Sequence, residues 1–205
     1  LGEQALNVMT IAGVIAFIVI CIVMIVMFRL PGVITSIALL GQVAGMIACS
    51  SGFFSDANGV TLTIPGIAGI ILSIGMGVDA NVIASERIRE EFRNGKTIDG
   101  AINAGFENSF SAVLDGNVTV FIVSAVMMGV FGTSDTFMGK LLSPIMQFFG
   151  TSVTGSIYSF GYTLLIGVIF NMIMGVYCSR AMLRSVSRFK FLRKPWLYGG
   201  AKNGK

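Results

Sequence analysis

Five stretches of this chain are apolar for long enough to cross a lipid bilayer, and that restricts the fold to a bundle of helices. In hydrocarbon every backbone N–H and C=O must be satisfied within the protein, which a helix achieves by itself. The stretches cover about residues 6–28, 33–49, 62–85, 109–131 and 158–178. Only 12% of the 205 residues are charged and 54% are hydrophobic; a soluble domain carries roughly twice that charged share. The expected fold is an all-α integral membrane protein with five transmembrane helices.

The connections have their own signals. Arg29-Leu30-Pro31-Gly32 reads as a tight turn between the first two spans. The second span contains Gly41-x-x-x-Gly45, a spacing that permits close helix approach but is common by chance. Ser50–Thr61 is a polar loop, and Pro65 falls in the first turn of the third span, where a missing N–H does least harm. The charged run after Ser85 can carry that helix out into water as far as Gly95, a natural stop. Thr97 can then cap a short amphipathic helix with Ile98, Ala101, Ile102, Gly105 and Phe106 on one face, suited to lying under the bundle. Thr133–Ile157 is apolar but broken by Lys140, Pro144 and Gln147, which fits an interfacial or re-entrant helix better than a sixth span. Residues 1–185 therefore form a membrane domain and 186–205 a basic tail.

Charge placement predicts an orientation. With five alternating spans, thirteen of the fourteen Lys and Arg residues fall on one side and only Lys140 on the other. The positive-inside rule then puts the N-terminus outside and the C-terminus in the cytoplasm. The net charge of +4 is explained by lipid headgroups and topology rather than by nucleic acid. The first residue is Leu1, as expected of a fragment of a longer chain. No histidine is present, and Cys21, Cys49 and Cys178 have no metal-site or disulfide spacing. With no phosphate loop and no nucleophile–base pair either, the chain reads as a transport component rather than an enzyme, without a cofactor.

Two aspartates stand inside the apolar spans. Asp79 begins Asp79-Ala80-Asn81-Val82 and Asp115 begins Asp115-Gly116-Asn117-Val118. A carboxylate at membrane depth costs a few kcal/mol even on the gentler insertion scales, so it marks a functional site. Asp79 lies seven residues before Glu86 and Asp115 six after Ser109, placing both about 10 Å from the same membrane face. Two carboxylates sharing a low-dielectric site resist ionising together, so one can hold a proton. Asn81 and Asn117 lie about 200° round the helix from their aspartates, so each span can turn one group to a pathway and the other to a neighbouring helix. The plainer alternative is that all four only bond helices together, at about 0.6 kcal/mol per contact.

These residues also carry a resemblance. TLTIPGIAGIILSIGMGVDANVIASERIREEF, from Thr61 to Phe92, resembles the signature of the SecD family of protein-export subunits, within the RND superfamily. AGFENSFSAVLDGNVTVFI (Ala104–Ile122) resembles its second signature, and IYSFGYTLLIGVIFNMIMGVYCSRAMLRS (Ile157–Ser185) its last span. The sister subunit SecF usually has VD-x-IV…DRIRE instead. The chain departs from the SecD pattern at Ala84-Ser85, at Asn171 and in the long insertion Thr133–Ser156.

The resemblance implies a six-span unit in a bacterial inner membrane, represented here by the part that follows large extracytoplasmic domains. It implies SecF, the SecYEG channel, exported polypeptide and membrane lipids as partners, and the proton as coupling ion. Asp79 matches the proton-pathway residue, expected in the bundle centre, with Asp115 opposite it at similar depth and Asn81 and Asn117 in support. An RND-type exporter of small molecules or lipids is the alternative, and a passive helix scaffold is a third reading.

Overall fold

The computed structural model describes residues 2–51, 63–131, 155–189 and 195–198. Five of its helices are long and apolar enough to span a membrane, and no strand occurs among the described residues. The helices are α1 (Gly2–Phe28), α2 (Leu30–Ser50), α3 (Ile64–Arg93) and α4 (Ile98–Phe131). The last span is composite: α5 (Gly155–Phe170), a π-helical segment (Asn171–Cys178) and α6 (Ser179–Ser187). A 3₁₀ turn follows at Pro195–Tyr198. Of the stretch read as an interfacial helix, residues 133–154 lie outside the described residues, and Gly155–Ile157 begin α5.

The expected four-residue turn shrinks to one residue. Arg29 alone leaves the helix, with φ 54° and ψ −114°, while Leu30, Pro31 and Gly32 already belong to α2. Proline fits there because the first helical N–H groups lack intrahelical partners anyway. Helix α3 starts with Pro65 in its first turn, as its sequence suggests, and Thr63 Oγ1 accepts from the Gly66 N–H at 3.2 Å. It runs unbroken through the charged segment and ends before Gly95, whose φ of +85° suits a residue without Cβ.

The separate amphipathic helix is corrected. Thr97 does cap it, accepting from the Gly100 N–H at 3.3 Å, but the helix continues as α4 for 34 residues. Nothing between Ile98 and Phe131 stops it: there is no proline, and Gly105 sits where α4 crosses Ile88 too closely for a side chain. Ile98, Ala101, Ile102 and Phe106 are buried as their spacing suggests. Ile98, Ile102 and Phe106 pack beside α3 rather than beneath the bundle, with Ile34, Ala84, Ile88, Leu183 and Tyr198.

Tyr198 brings the Pro195–Tyr198 turn of the basic tail into this cluster. It is 2% exposed, and its ring stacks on Phe92 at 6.1 Å. Arg29 holds the same segment from the other side, with Nη1 donating to the Trp196 carbonyl at 2.6 Å and the guanidinium 4.0 Å from the indole centroid. Trp196 is the only tryptophan, so its fluorescence reports on this docking. Arg29→Gln is expected to shift Trp196 emission to longer wavelength as the indole gains water; emission unchanged from the parent would show that Arg29 does not hold the segment. Of the ion pairs at this end, Arg87–Glu90 is exposed and contributes little to stability, whereas Lys96–Glu91 and Arg180–Glu107 are partly buried.

Helices α3, α4 and α5 form the tightest part of the bundle, with α1 at its edge. Small residues permit the close approach of α3 to the last span: Gly66 faces Ser159, Gly69 faces Thr163, and Gly167 faces Ser73. The Gly41/Gly45 pair is put to the same use, lying against Met174 and Phe170.

Candidate functional site: a carboxylate groove over a buried amide layer

The 200° offset within each D-x-N motif decides what each residue does. Asn81 and Asn117 turn inward and are 1% and 6% exposed, so Asp79 and Asp115 must turn outward, and both are exposed. Neither carboxylate has a hydrogen bond or ion pair among the described residues. The expectation that Asp79 sits in the bundle centre is therefore corrected. It lies on the flank of α3, at the edge of a groove shared with α4.

That groove has a volume of about 220 Å³. Asp79, Ala80 and Ile83 line its α3 wall; Ala112, Gly116 and Val120 line its α4 wall; Asn117 and Asn171 also face it. At about 30 Å³ per molecule it has room for roughly seven waters. Gly116 leaves the α4 wall open, since no atom lies within 4 Å of where its Cβ would be. Asp115 is not among the lining residues. It lies instead on an exposed stripe of α4 with Val118 and Ile122. The structure thus places the aspartates on neighbouring helices but brings only Asp79 to the groove.

Beneath the groove lies a layer of amides. Asn171 Nδ2 donates to Asn117 Oδ1 at 2.9 Å and reaches the Met76 carbonyl at 3.4 Å. Asn117 Nδ2 returns to the Val113 carbonyl at 2.8 Å. Asn81 Nδ2 donates to the Gly77 carbonyl at 2.8 Å, and its Oδ1 accepts from Ser179 Oγ at 3.0 Å. On the far side of α3, Gln42 Nε2 donates to the Ser73 carbonyl at 3.0 Å. Burying amides in hydrocarbon is tolerable only with such partners. Two acceptors nonetheless lack one among the described residues: Gln42 Oε1 and Asn171 Oδ1.

Sequence reasoning missed Gln42, Ser73 and Ser179 and treated Asn171 only as a departure from a family pattern. The available signal was simple: Gln42 and Asn171 are lone amides in apolar runs. The π-helical segment has no comparable signal. A wide helical turn of this kind is rare and recurs at functional sites. Here it starts at Asn171 and ends just before Ser179, so its two ends carry the contacts to α4 and α3. The arrangement is thus a carboxylate open to a groove of about 220 Å³, on a helix tied to its neighbours by neutral amides to which it contributes no bond.

Comparison with known proteins matches residues 3–195 to the MMPL family. Among curated proteins, the protein translocase subunit SecD of Leptotrichia buccalis is 37% identical over 204 residues, 99% of this chain and 44% of that protein. The SecD subunit of Synechocystis sp. is 37% identical over 183 residues, 89% of this chain and 33% of its own length. That of Alicyclobacillus acidocaldarius is 32% identical over 202 residues, 98% and 41% respectively. The chain thus spans less than half the length of these relatives.

Proposed function

The chain belongs to the MMPL family, and from that premise we propose that it is the membrane part of a SecD-like subunit that uses the proton gradient to help move polypeptide across a bacterial inner membrane. The observation that carries this reading is Asp79, a carboxylate at membrane depth that opens on a water-sized groove. Each charge moved through 100 mV is worth about 2.3 kcal/mol. A carboxylate that loads a proton from one side and releases it to the other can deliver that energy to the helices that carry it.

The exposed flank of α3 and α4 fits the same reading. A carboxylate against lipid is costly, so this flank calls for a protein cover that excludes lipid from Asp79 and Asp115. In this reading the cover is SecF, with SecYEG supplying the channel and the exported chain as substrate. The basic end of the bundle is cytoplasmic and the N-terminus outside, following the placement of Lys and Arg. Asp115, outside the groove, helps to hydrate the approach to Asp79.

The test is export in membrane vesicles depleted of the native subunit. The full-length protein containing this segment, supplied with its partner subunit, should restore the gradient-dependent part of polypeptide export. Restoration that is the same with the gradient collapsed would remove proton coupling from the proposal. Gradient-driven efflux of a small molecule or lipid, with no effect on export, would favour the RND-type exporter instead.

A further inference from the structure

Asn171 bonds to two other helices through its side-chain nitrogen, while its side-chain oxygen lacks a partner among the described residues. It is 1% exposed. Its Nδ2 holds Asn117 on α4 and touches the Met76 carbonyl on α3. Met76 lies in the helical turn just before Asp79, where its carbonyl also serves the α-helix bond to Ala80. One side chain therefore ties the backbone that carries Asp79 to the opposite wall of the groove.

Its Oδ1 lies over Gly175. A Cβ added there would sit 2.5 Å from Asn171 Oδ1 and 3.5 Å from Asn81 Nδ2. The absent side chain thus leaves a space bordered by an acceptor without a partner and by the amide donor of Asn81. Two asparagines, one from the π-helical segment and one from α3, approach each other across a glycine. Asn117, Asn171, Asn81 and Ser179 so form a nearly continuous polar chain from α4 through the last span to α3. None of its members ionises.

We propose that Asn171 is a positioning residue for Asp79, holding α3 and α4 at the groove width at which Asp79 exchanges its proton, and that Gly175 is the residue that leaves room for it. This rests on the reading of Asp79 as the proton-carrying group. Among the described residues, Asp79 is the one charged side chain that lines the groove. On the two helices that wall it, the next ionisable side chains along the sequence are Asp115 on α4, outside the groove, and Glu86 and Arg87 farther along α3. The π-helical segment presents no carboxylate or base, and Arg180 of α6 is paired with Glu107. The surroundings of Asp79 are therefore set by the groove walls, and Asn171 sets their spacing.

The test uses the full-length protein with its partner subunit in lipid vesicles. Asn171→Ala removes the tie. Gly175→Ala keeps Asn171 but puts a methyl group 2.5 Å from its Oδ1, so the amide must shift, and alanine is the better helix former. Each should lower gradient-driven export about threefold, the scale of one interhelical hydrogen bond in a membrane. If both act through Asn171, the double variant should also lose about threefold, not the product of the two losses. A purely structural role would not move the infrared band of the protonated carboxyl that Asp79→Asn removes; here that band should shift in both single variants. An unmoved band, or losses that multiply, overturns the inference while leaving Asp79 as the proton carrier. Full export by Asp79→Asn overturns the underlying reading instead.

Discussion

Replacing Asp79 with asparagine is expected to remove the gradient-dependent part of polypeptide export while leaving the helix bundle folded. The amide nearly matches the carboxyl in shape, so the groove keeps its volume, and no hydrogen bond among the described residues is lost. The amide cannot take up a proton. If one charge per cycle moves through 100 mV, the lost drive is about 2.3 kcal/mol, roughly fiftyfold in rate or equilibrium. The measurement is export rate against imposed gradient in vesicles, with folding checked by thermal unfolding in detergent. Asp115→Asn should cost less, because Asp115 stands outside the groove on an exposed stripe of α4. Full-rate export by the Asp79 variant would end the assignment, and an equal loss in both would reverse the ranking of the pair.

Much of this was legible in the residues because the bilayer imposes simple rules. Apolar length gave the five spans, and Pro65, Gly95 and Thr97 marked helix ends where the chain uses them. The two-residue spacing of each D-x-N motif implied that aspartate and asparagine point apart, as they do, with Asn81 and Asn117 buried and Asp79 and Asp115 exposed. What the spacing could not tell is which of the two turns inward. That depends on how α3 packs against α4 and α5, a tertiary property with no local trace. The break expected after Phe106 failed for a related reason. Amphipathic periodicity locates a buried face, but it does not say whether the helix stops or runs on into the next span. The π-helical segment was out of reach, since its wide turns answer to contacts at Asn171 and Ser179 that lie 54 and 98 residues from their partners.

The groove depends on the α3–α4 hairpin being held at its basic end, and Gly105 is where that hold is tightest. A Cβ at Gly105 would lie 2.7 Å from the Ile88 backbone N and 2.8 Å from its Cα, and it would also overlap Ile88 Cγ1. The side-chain atom can rotate away, but the two backbone atoms cannot, so the helices must separate. Around them Ala101 and Ile102 are fully buried and Ile88 almost so, leaving no slack to absorb the shift. Gly105→Val should therefore cost near the upper end of the usual overpacking penalty, about 3 kcal/mol. For a chain of this size that corresponds to a fall of roughly 6–12 °C in the unfolding midpoint. Gly116→Ala is the matched control on the same helix, because its Cβ meets nothing within 4 Å. It should be neutral or stabilise by up to about 1 kcal/mol through helix propensity alone. Because Tyr198 and Phe106 share the cluster at this crossing, Gly105→Val should also loosen the docked Trp196 segment, and one fluorescence-monitored melt reads both effects. If Gly105→Val melted with the parent, α3 and α4 would not cross this closely, and the groove would have to be held open by the amide layer alone.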